Sequence, residues 1–465
     1  MKSVDAARIH AASFRDPSGF LFYRGSELFR QVNLESRDDY DLMMRSGLYG
    51  ELTEKCLIVR HNETAEKPAN PETAYRILKP EMVPFISHPY EWCFSQIRDA
   101  ALATLDIQKT AMNYGMSLKD ASAYNIQFIH GNPVLVDTLS FEKYREGAPR
   151  VAYRQFCQHF LAPLALMAHT DIRLSQLLRI HIDGIPLDLA SRLLPRSTAL
   201  KFGLLTHIHL HAKTQKHYAD KPVKINSHGK ISKTAFLGII DSLRGSVLSC
   251  NWKRQATEWR DYYSGTNYTD TAMESKIQTV TRAVERLKPG QVWDLGANNG
   301  VFSRISAGMG AHTVSLDKDE SCVEDNYMQV KRNREKNILP LLMDFTNPSP
   351  GTGWANIERD SLADRGPADL VLALALIHHL AISSNVPLGR IAAMLRSIGK
   401  NLIIEFVPKN DSQAQRLLLN REDIFRDYGR DEFERQFRNY FRVRETIPIP
   451  GTERTIYLME GLSRR

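Results

Sequence analysis

The segment Val292–Ser303, VWDLGANNGVFS, carries the residues most able to do chemistry in this chain. A short apolar run ends in a carboxylate, Asp294, and a polar turn follows. Gly296 and Gly300 let the backbone of that turn bend sharply and approach a ligand where a Cβ would collide. Ala297 and Asn298 lie between them, and Asn tolerates left-handed backbone angles better than most residues. Asp317 follows 23 residues after Asp294, where a carboxylate can accept both hydroxyls of a ribose. Asp344, at the end of a third apolar run, and Phe345 beside it offer an acceptor for an adenine amine and a ring to pack on the base. The G-x-G-x-x-G spacing of dinucleotide sites is absent. A carboxylate two positions before the first glycine suits a nucleoside that carries positive charge.

Two further sites bear on a second reactant. His378 and His379 follow the apolar run Leu370–Leu376, and ligands of parallel sheets bind beyond the carboxyl ends of strands. One of the two histidines can orient or deprotonate an acceptor, or simply cap a strand-to-helix turn, and adjacent side chains cannot both point inward. Glu405 stands inside the apolar segment Ile404–Val407. A carboxylate there is either paired or exposed at the strand end, so it is both a catalytic candidate and a structural one.

These residues need elements to hold them. Candidate strands at Gln291–Leu295, Thr313–Leu316, Leu339–Met343, Leu370–Leu376 and Leu402–Val407 alternate with helix-length polar segments. That alternation predicts a parallel α/β sheet with both faces covered. Phe433, Phe437, Tyr440 and Phe441 mark a helix face, and the runs Phe441–Ile449 and Arg454–Glu460 read as a closing antiparallel hairpin.

The D-L-G-A-N-N-G-V-F-S turn resembles motif I of class I S-adenosylmethionine-dependent methyltransferases, with Asp317 and Asp344 at the acidic positions of the second and third motifs. The resemblance covers roughly the last 200 residues and extends to strand order and the terminal hairpin. It implies a Rossmann-like seven-stranded methyltransferase sheet and S-adenosyl-L-methionine as cofactor. It assigns Asp294, Gly296, Ala297, Asn298, Gly300, Asp317, Asp344 and Phe345 to cofactor binding, while His378, His379 and Glu405 remain the catalytic candidates that their positions suggest. Asn298 departs from the middle glycine that many members have. No Asn-Pro-Pro-Tyr segment occurs, and His-His-Leu is more similar to small-molecule O- or C-methyltransferases. The expected acceptor is therefore a small or carrier-bound molecule. RNA or protein methylation is the alternative, and a non-catalytic cofactor-fold scaffold is the non-enzyme alternative. In many relatives Trp259–Tyr263 and Asn267–Tyr268 would form a lid.

The first half reads as an α+β domain over residues 1–150, followed by a mostly helical connector over 151–255 with a polar linker near 218–233; the methyltransferase domain takes 256–465. Strands are expected at FLFYRG, LFRQVNL and KCLIVRH, and a long helix over Glu91–Tyr114. Asp120, Asn125 and Asp137, spaced by 5 and 12, resemble the catalytic loop and metal aspartate of kinase-like phosphotransferases. No glycine-rich nucleotide loop or Lys–Glu pair accompanies them. Phosphotransfer is thus a minor alternative beside a recognition or scaffolding role. His207, His209 and His211 alternate, but their surroundings read as a helix that spreads them about its axis. No metal site is expected.

Bulk properties set the remaining bounds. A chain of 465 residues exceeds one ordinary core. A net charge of +8 over this length permits an anionic partner without demanding one. The basic cluster Lys331, Arg332, Arg334 and Lys336 reads as a solvated helix face. Five cysteines without a CxxC pair, no apolar leader and no bilayer-length apolar run point to a soluble, cytoplasmic protein without membrane contact. Oligomeric state is left open.

Overall fold

A computed structural model describes residues 6–147, 151–212, 232–254, 269–419 and 422–463. The chain forms two compact units, Met1–Lys253 with Gly353–Arg359, and Arg254–Thr352 with Asp360–Arg465. The expected linker at 218–233 falls almost wholly outside the described residues, as do the lid segments 259–263 and 267–268.

In the first unit, strands β1 (Arg8–Ile9), β2 (Gly19–Arg24), β3 (Glu27–Asn33), β4 (His61–Thr64) and β5 (Ala74–Pro80) form an antiparallel sheet in the order β1-β2-β3-β5-β4. Helices Arg37–Ser46 and Leu48–Glu54 lie between β3 and β4 in the chain. KCLIVRH, expected as a strand, is not one. Its apolar residues form one parallel bridge, Ile58 to Leu135, and the strand starts only at His61. The long helix runs Phe94–Asn113, with the Gln96 side chain accepting from the backbone N–H of Cys93. Hairpin β7 (Ile126–Ile129)–β8 (Asn132–Leu135) and the pair β6 (Met116–Leu118)–β9 (Phe141–Lys143) follow. Helical segments occupy most of the stretch from Val151 to Leu210.

The second unit holds β10 (Gln291–Leu295), β11 (His312–Asp317), β12 (Ile338–Leu342), β13 (Ala368–Ala373), β14 (Gly399–Phe406), β15 (Phe441–Pro448) and β16 (Thr455–Gly461). Their order is β12-β11-β10-β13-β14-β16-β15. The first five are parallel, while β16 runs antiparallel to both neighbours. This is the seven-stranded methyltransferase sheet with its closing hairpin. Helices cover it: Ala272, Val280, Ala283 and Val284 of helix Asp270–Leu287 pack on Val292, Leu370, Leu372, Ile403 and Leu458. Each buried Val, Leu or Ile among them contributes roughly 1.5–3 kcal/mol by leaving water, the alanines less. Phe433 and Phe437, one turn apart on helix Arg430–Arg438, are fully buried. The basic cluster lies at the exposed end of helix Glu320–Asn333 and just beyond it.

Chain order reverses at β10, which pairs with β11 on one side and β13 on the other. A crevice opens beyond the carboxyl ends of strands at such a switch point.

Candidate functional site

A cavity of about 350 Å³ lies beyond those strand ends, at the lower end of the roughly 300–1,000 Å³ typical of small-molecule sites. Its wall includes Asp294, Gly296, Ala297 and Asn298 from the first loop, and Asp317 and Lys318 from the second. Met343, Asp344, Phe345 and Thr346 come from the third, and Leu374–Leu376, His379, Leu380, Ser383 and Ser384 from the fourth. Lys276, Phe302 and Leu417 complete it.

Asp294 is the penultimate residue of a strand whose last four residues are buried, and it is only 2% exposed. Burial raises its pKa from 3.8 to about 6, although Ser303 Oγ donates to its Oδ2 at 2.7 Å and the Lys276 charge opposes the rise. Ser303 Oγ also reaches Ser315 Oγ at 3.0 Å, and Asn326 Nδ2 donates to Ser315 at 2.8 Å. The acid therefore stands on a fixed polar underlayer. The turn after it uses φ of +70° at Gly296, +51° at Asn298 and +81° at Gly300. Asn298 adopts the left-handed geometry its side chain tolerates, and its N–H donates to Asp317 Oδ2 at 2.7 Å. Asp317 Oδ1 accepts from Asp319 N at 2.9 Å, and burial raises this carboxyl too.

Several expected positions need correction. Gly300 does not line the cavity. A Cβ there would meet only the flexible tips of Arg304 and Asn326 at 2.7 Å, so it is the φ of +81° that calls for glycine. Asp344 does not end the third strand, because β12 stops at Leu342. Asp344 is exposed at the rim, where its Oδ1 accepts from Thr346 N and Oγ1 at 2.8 and 2.7 Å. The fourth strand stops at Ala373, not Leu376, because Ala375 adopts φ +51°.

The histidine pair is divided by the turn. His379 lines the cavity, whereas His378 is 1% exposed beneath it and its Nδ1 has no hydrogen-bond partner. Their ring centroids are 4.0 Å apart. Burial lowers both, His379 to about 4 and His378 well below its usual range, so both are neutral at physiological pH.

Glu405 is absent from the cavity wall and fully buried. Its Oε2 is 2.7 Å from Lys276 Nζ and accepts from Ala375 N at 3.0 Å, while Oε1 is 3.3 Å from Arg454 Nη1. Arg454, also fully buried, forms a two-pronged pair with Asp411 at 2.7 and 2.9 Å. Lys276, at the cavity wall, was missed from sequence. Its signal was a cation at the apolar spacing Ala272–Lys276–Thr279–Val280–Ala283 of an amphipathic helix.

In the first unit the structure brings Asp120, Asn125 and Asp137 together. Asn125 Nδ2 donates to Asp120 Oδ2 at 3.1 Å and reaches Ser140 Oγ at 3.3 Å, and Ser140 Oγ donates to Asp137 Oδ2 at 2.6 Å. Asp137 pairs with Arg30 of β3. Burial works to raise Asp137, but Arg30 and the hydrogen bonds hold it below its ordinary value. His207 and His209 lie on the helical stretch Leu205–Leu210. His207 bonds Tyr153 and Ser242, and His209 bonds Ser191 and Thr198. Among the described residues no group of three or more His, Cys, Asp or Glu is placed to hold a metal. No described helix is long and apolar enough to cross a membrane.

No known family model matches the chain. Solved structures with similar regions include the PH0226 protein from Pyrococcus horikoshii OT3, 17% identical, covering 45% of this chain and 100% of that one at a TM-score of 0.33. Magnesium protoporphyrin IX methyltransferase (ChlM) from Synechocystis PCC 6803, solved with bound SAH, is 17% identical over 44% of this chain and 93% of that one, at 0.31. The bifunctional kinase-methyltransferase WbdD is 18% identical over 41% of this chain and 40% of that one, at 0.28. Sequence likeness reaches much further along the chain. Nodulation protein NoeA of Rhizobium meliloti (strain 1021) is 33% identical over 461 residues, which take in 97% of this chain and 95% of the relative. With a class I methyltransferase sheet and motif in its second unit and this likeness from end to end, the chain belongs to the family of nodulation protein NoeA.

Proposed function

We propose that the chain is an S-adenosylmethionine-dependent methyltransferase acting on an oxygen or carbon nucleophile of a small or carrier-bound acceptor. The observation that carries this is the cavity at the switch point of the sheet, with buried Asp294 on its floor and Asp317 beside it. An ionised carboxylate in a half-closed, partly apolar cavity is costly unless a cation answers it, and the cofactor's ammonium and sulfonium supply one. Asp317 keeps one backbone N–H on each oxygen and has lone pairs left for ribose hydroxyls. Phe345 and Met343 provide apolar surface for a base.

When bound, the cofactor supplies an electrophilic methyl group. The chain's own residues orient the acceptor, exclude water and take up its proton. His379 is the group on the acceptor side. A neutral imidazole accepts a hydrogen bond from a hydroxyl, whose acidity rises steeply as its oxygen bonds to carbon. His378 supports the turn from below. Leu376, Leu380 and Leu417 make this end apolar, and Ser383 and Ser384 add hydroxyls; such a lining suits a compact acceptor more than a polyanion.

Calorimetric titration with S-adenosylmethionine and S-adenosylhomocysteine tests the cofactor assignment. Micromolar binding by the natural chain and a loss of at least about tenfold in Asp317→Ala are expected, since a hydrogen bond to a charged acceptor is worth roughly 1.5–3 kcal/mol. No heat with either ligand refutes it. For the acceptor, tritium transfer into cell-extract fractions should give nuclease-resistant product, acid-soluble for a free small molecule and acid-precipitable for a carrier-bound one. Nuclease-sensitive label would move the assignment to RNA.

The first unit supports a second, structural proposal, a kinase-like fold that has given up phosphotransfer. The Asp120–Asn125–Ser140–Asp137 chain has the residue types and spacing of a kinase-like catalytic loop, but Arg30 pairs with the aspartate that would hold a metal. Magnesium-dependent binding of ATP by the full chain would overturn this.

A further inference from the structure

We propose that Lys276 is the specificity residue for the amino-acid end of the cofactor, receiving its carboxylate while Asp294 takes its ammonium; this rests on the methyltransferase reading above. The cavity floor presents one group of each sign. Lys276 comes from helix Asp270–Leu287 and Asp294 from the end of β10, and each perturbs the other's ionisation. A zwitterion is the ligand chemistry that answers both charges at once, and a carboxylate stripped of water needs a cation or several N–H groups. Among the described residues of the wall the cations are Lys276 and Lys318. The Lys318 charge bears on Asp317 and His379, whereas Lys276 is the cation that bears on Asp294, so Lys318 stands away from the amino-acid end.

Lys276 differs from an ordinary core lysine in how it is held. Its ammonium lies 2.7 Å from Glu405 Oε2 and 4.8 Å from the centroid of the Phe302 ring. Glu405 already has a guanidinium at 3.3 Å, and Arg454 is in turn anchored on Asp411. Lys276 and Arg454 against Glu405 and Asp411 make a charge-balanced buried chain. It ends in an ammonium at the cavity wall, with Asp294 remaining for a positive group. The same Glu405 oxygen accepts from the N–H of Ala375, whose φ is +51°. Glu405 is therefore a positioning residue that sets Lys276 and the turn before His379 against one another. Asp411 extends this hold by capping helix Ser412–Leu418, which contributes Leu417 to the wall.

Calorimetry on the full chain tests this with three related thioethers. They are S-adenosylhomocysteine, its decarboxylated analogue (ammonium kept, carboxylate gone) and 5′-methylthioadenosine (no amino-acid end). The natural chain should bind the decarboxylated analogue about tenfold or more weakly than the parent, the loss expected for one charge-assisted hydrogen bond. Lys276→Met should lose at least that factor for S-adenosylhomocysteine and stay within about twofold for 5′-methylthioadenosine. The Lys276→Met/Glu405→Gln double variant leaves no buried carboxylate facing an apolar side chain and should show the same selective loss. The inference falls if the decarboxylated analogue binds as well as its parent, or if both variants weaken 5′-methylthioadenosine equally. In either case binding of S-adenosylhomocysteine by the natural chain leaves the cofactor assignment standing. If the natural chain binds none of the three, both fall.

Discussion

Asp294→Asn is expected to stabilise the protein while stripping the cavity of its preference for a cationic nucleoside, and both effects have calculable sizes. The buried carboxyl titrates near 6 instead of 3.8, with burial as the leading cause. At about 1.4 kcal/mol per pH unit, the ionised form therefore costs the folded state roughly 3 kcal/mol at neutral pH. The sign follows from linkage. A group whose folded pKa is raised favours folding below its unfolded value, and that contribution is lost as pH climbs through about 6. Asparagine keeps an oxygen to accept from Ser303 but carries no charge. Its gain should be about 3 kcal/mol above pH 7 and shrink to about 0.5 kcal/mol at pH 4. Urea denaturation of the ligand-free protein at the two pH values reads this directly. Cofactor affinity moves the other way: if only ionised Asp294 binds, the natural protein loses about tenfold between pH 7 and pH 5. Asp294→Asn should bind weakly throughout and lose that tenfold slope. Any slope that persists reports Asp317, which burial also raises. A destabilised Asp294→Asn at neutral pH, or natural affinity constant to within twofold across that interval, would refute the reasoning.

The histidine pair should separate in kinetics. His379→Gln is expected to cut turnover by about 10²-fold or more, the usual contribution of a proton-accepting side chain, with S-adenosylhomocysteine affinity little changed. Because burial holds His379 near 4, the rate profile should show no histidine inflection between about pH 6 and 7. Gly300→Ala forces a Cβ to 2.7 Å from Arg304 and Asn326 at φ +81°, and should cost about 1–3 kcal/mol in denaturant unfolding. Glu405→Ala strands the buried Lys276 and weakens the hold on Arg454. About 3–5 kcal/mol should be lost, against under about 0.5 kcal/mol for the exposed rim change Asp344→Ala.

What could be read from sequence was what is local in the chain. The carboxylate, the two glycines and Asn298 lie within one strand and turn, so their types alone announce the backbone they need. The strands of the second unit announced themselves by apolar runs, because a parallel sheet is buried on both faces. Boundaries failed where a polar or strained residue interrupts the run. β13 gives way to the φ +51° of Ala375, and β12 stops before Asp344. KCLIVRH failed for another reason: its apolar residues are buried by one bridge to Leu135 and not by a ladder. Glu405 was visible as an anomaly, yet its role was not, since Lys276 and Arg454 reach it from distant parts of the chain. Which histidine faces the cavity is likewise set by the turn after β13 and not by anything in His-His itself.

The buried charges of the second unit do not owe their presence to stability. A chain such as Lys276–Glu405–Arg454–Asp411, replaced by well-packed apolar groups, is generally neutral or more stable, and Asp294 works against folding above pH 6. Each charge is also carried by, or directly abuts, a regular element packed in the core: helix Asp270–Leu287 for Lys276, β10 for Asp294, β14 for Glu405, and the start of β16 for Arg454. Loops could have carried the same groups at lower cost in burial, but with freedom that a bound ligand would have to remove. Fixing them on strands and a helix spends that ordering free energy during folding, where the apolar core supplies it. The polar interruptions in otherwise apolar elements are thus the places where this sequence departs from what folding alone would select. Two of them, Lys276 and Asp294, line the cavity, and Glu405, Arg454 and Asp411 hold Lys276 from behind the wall.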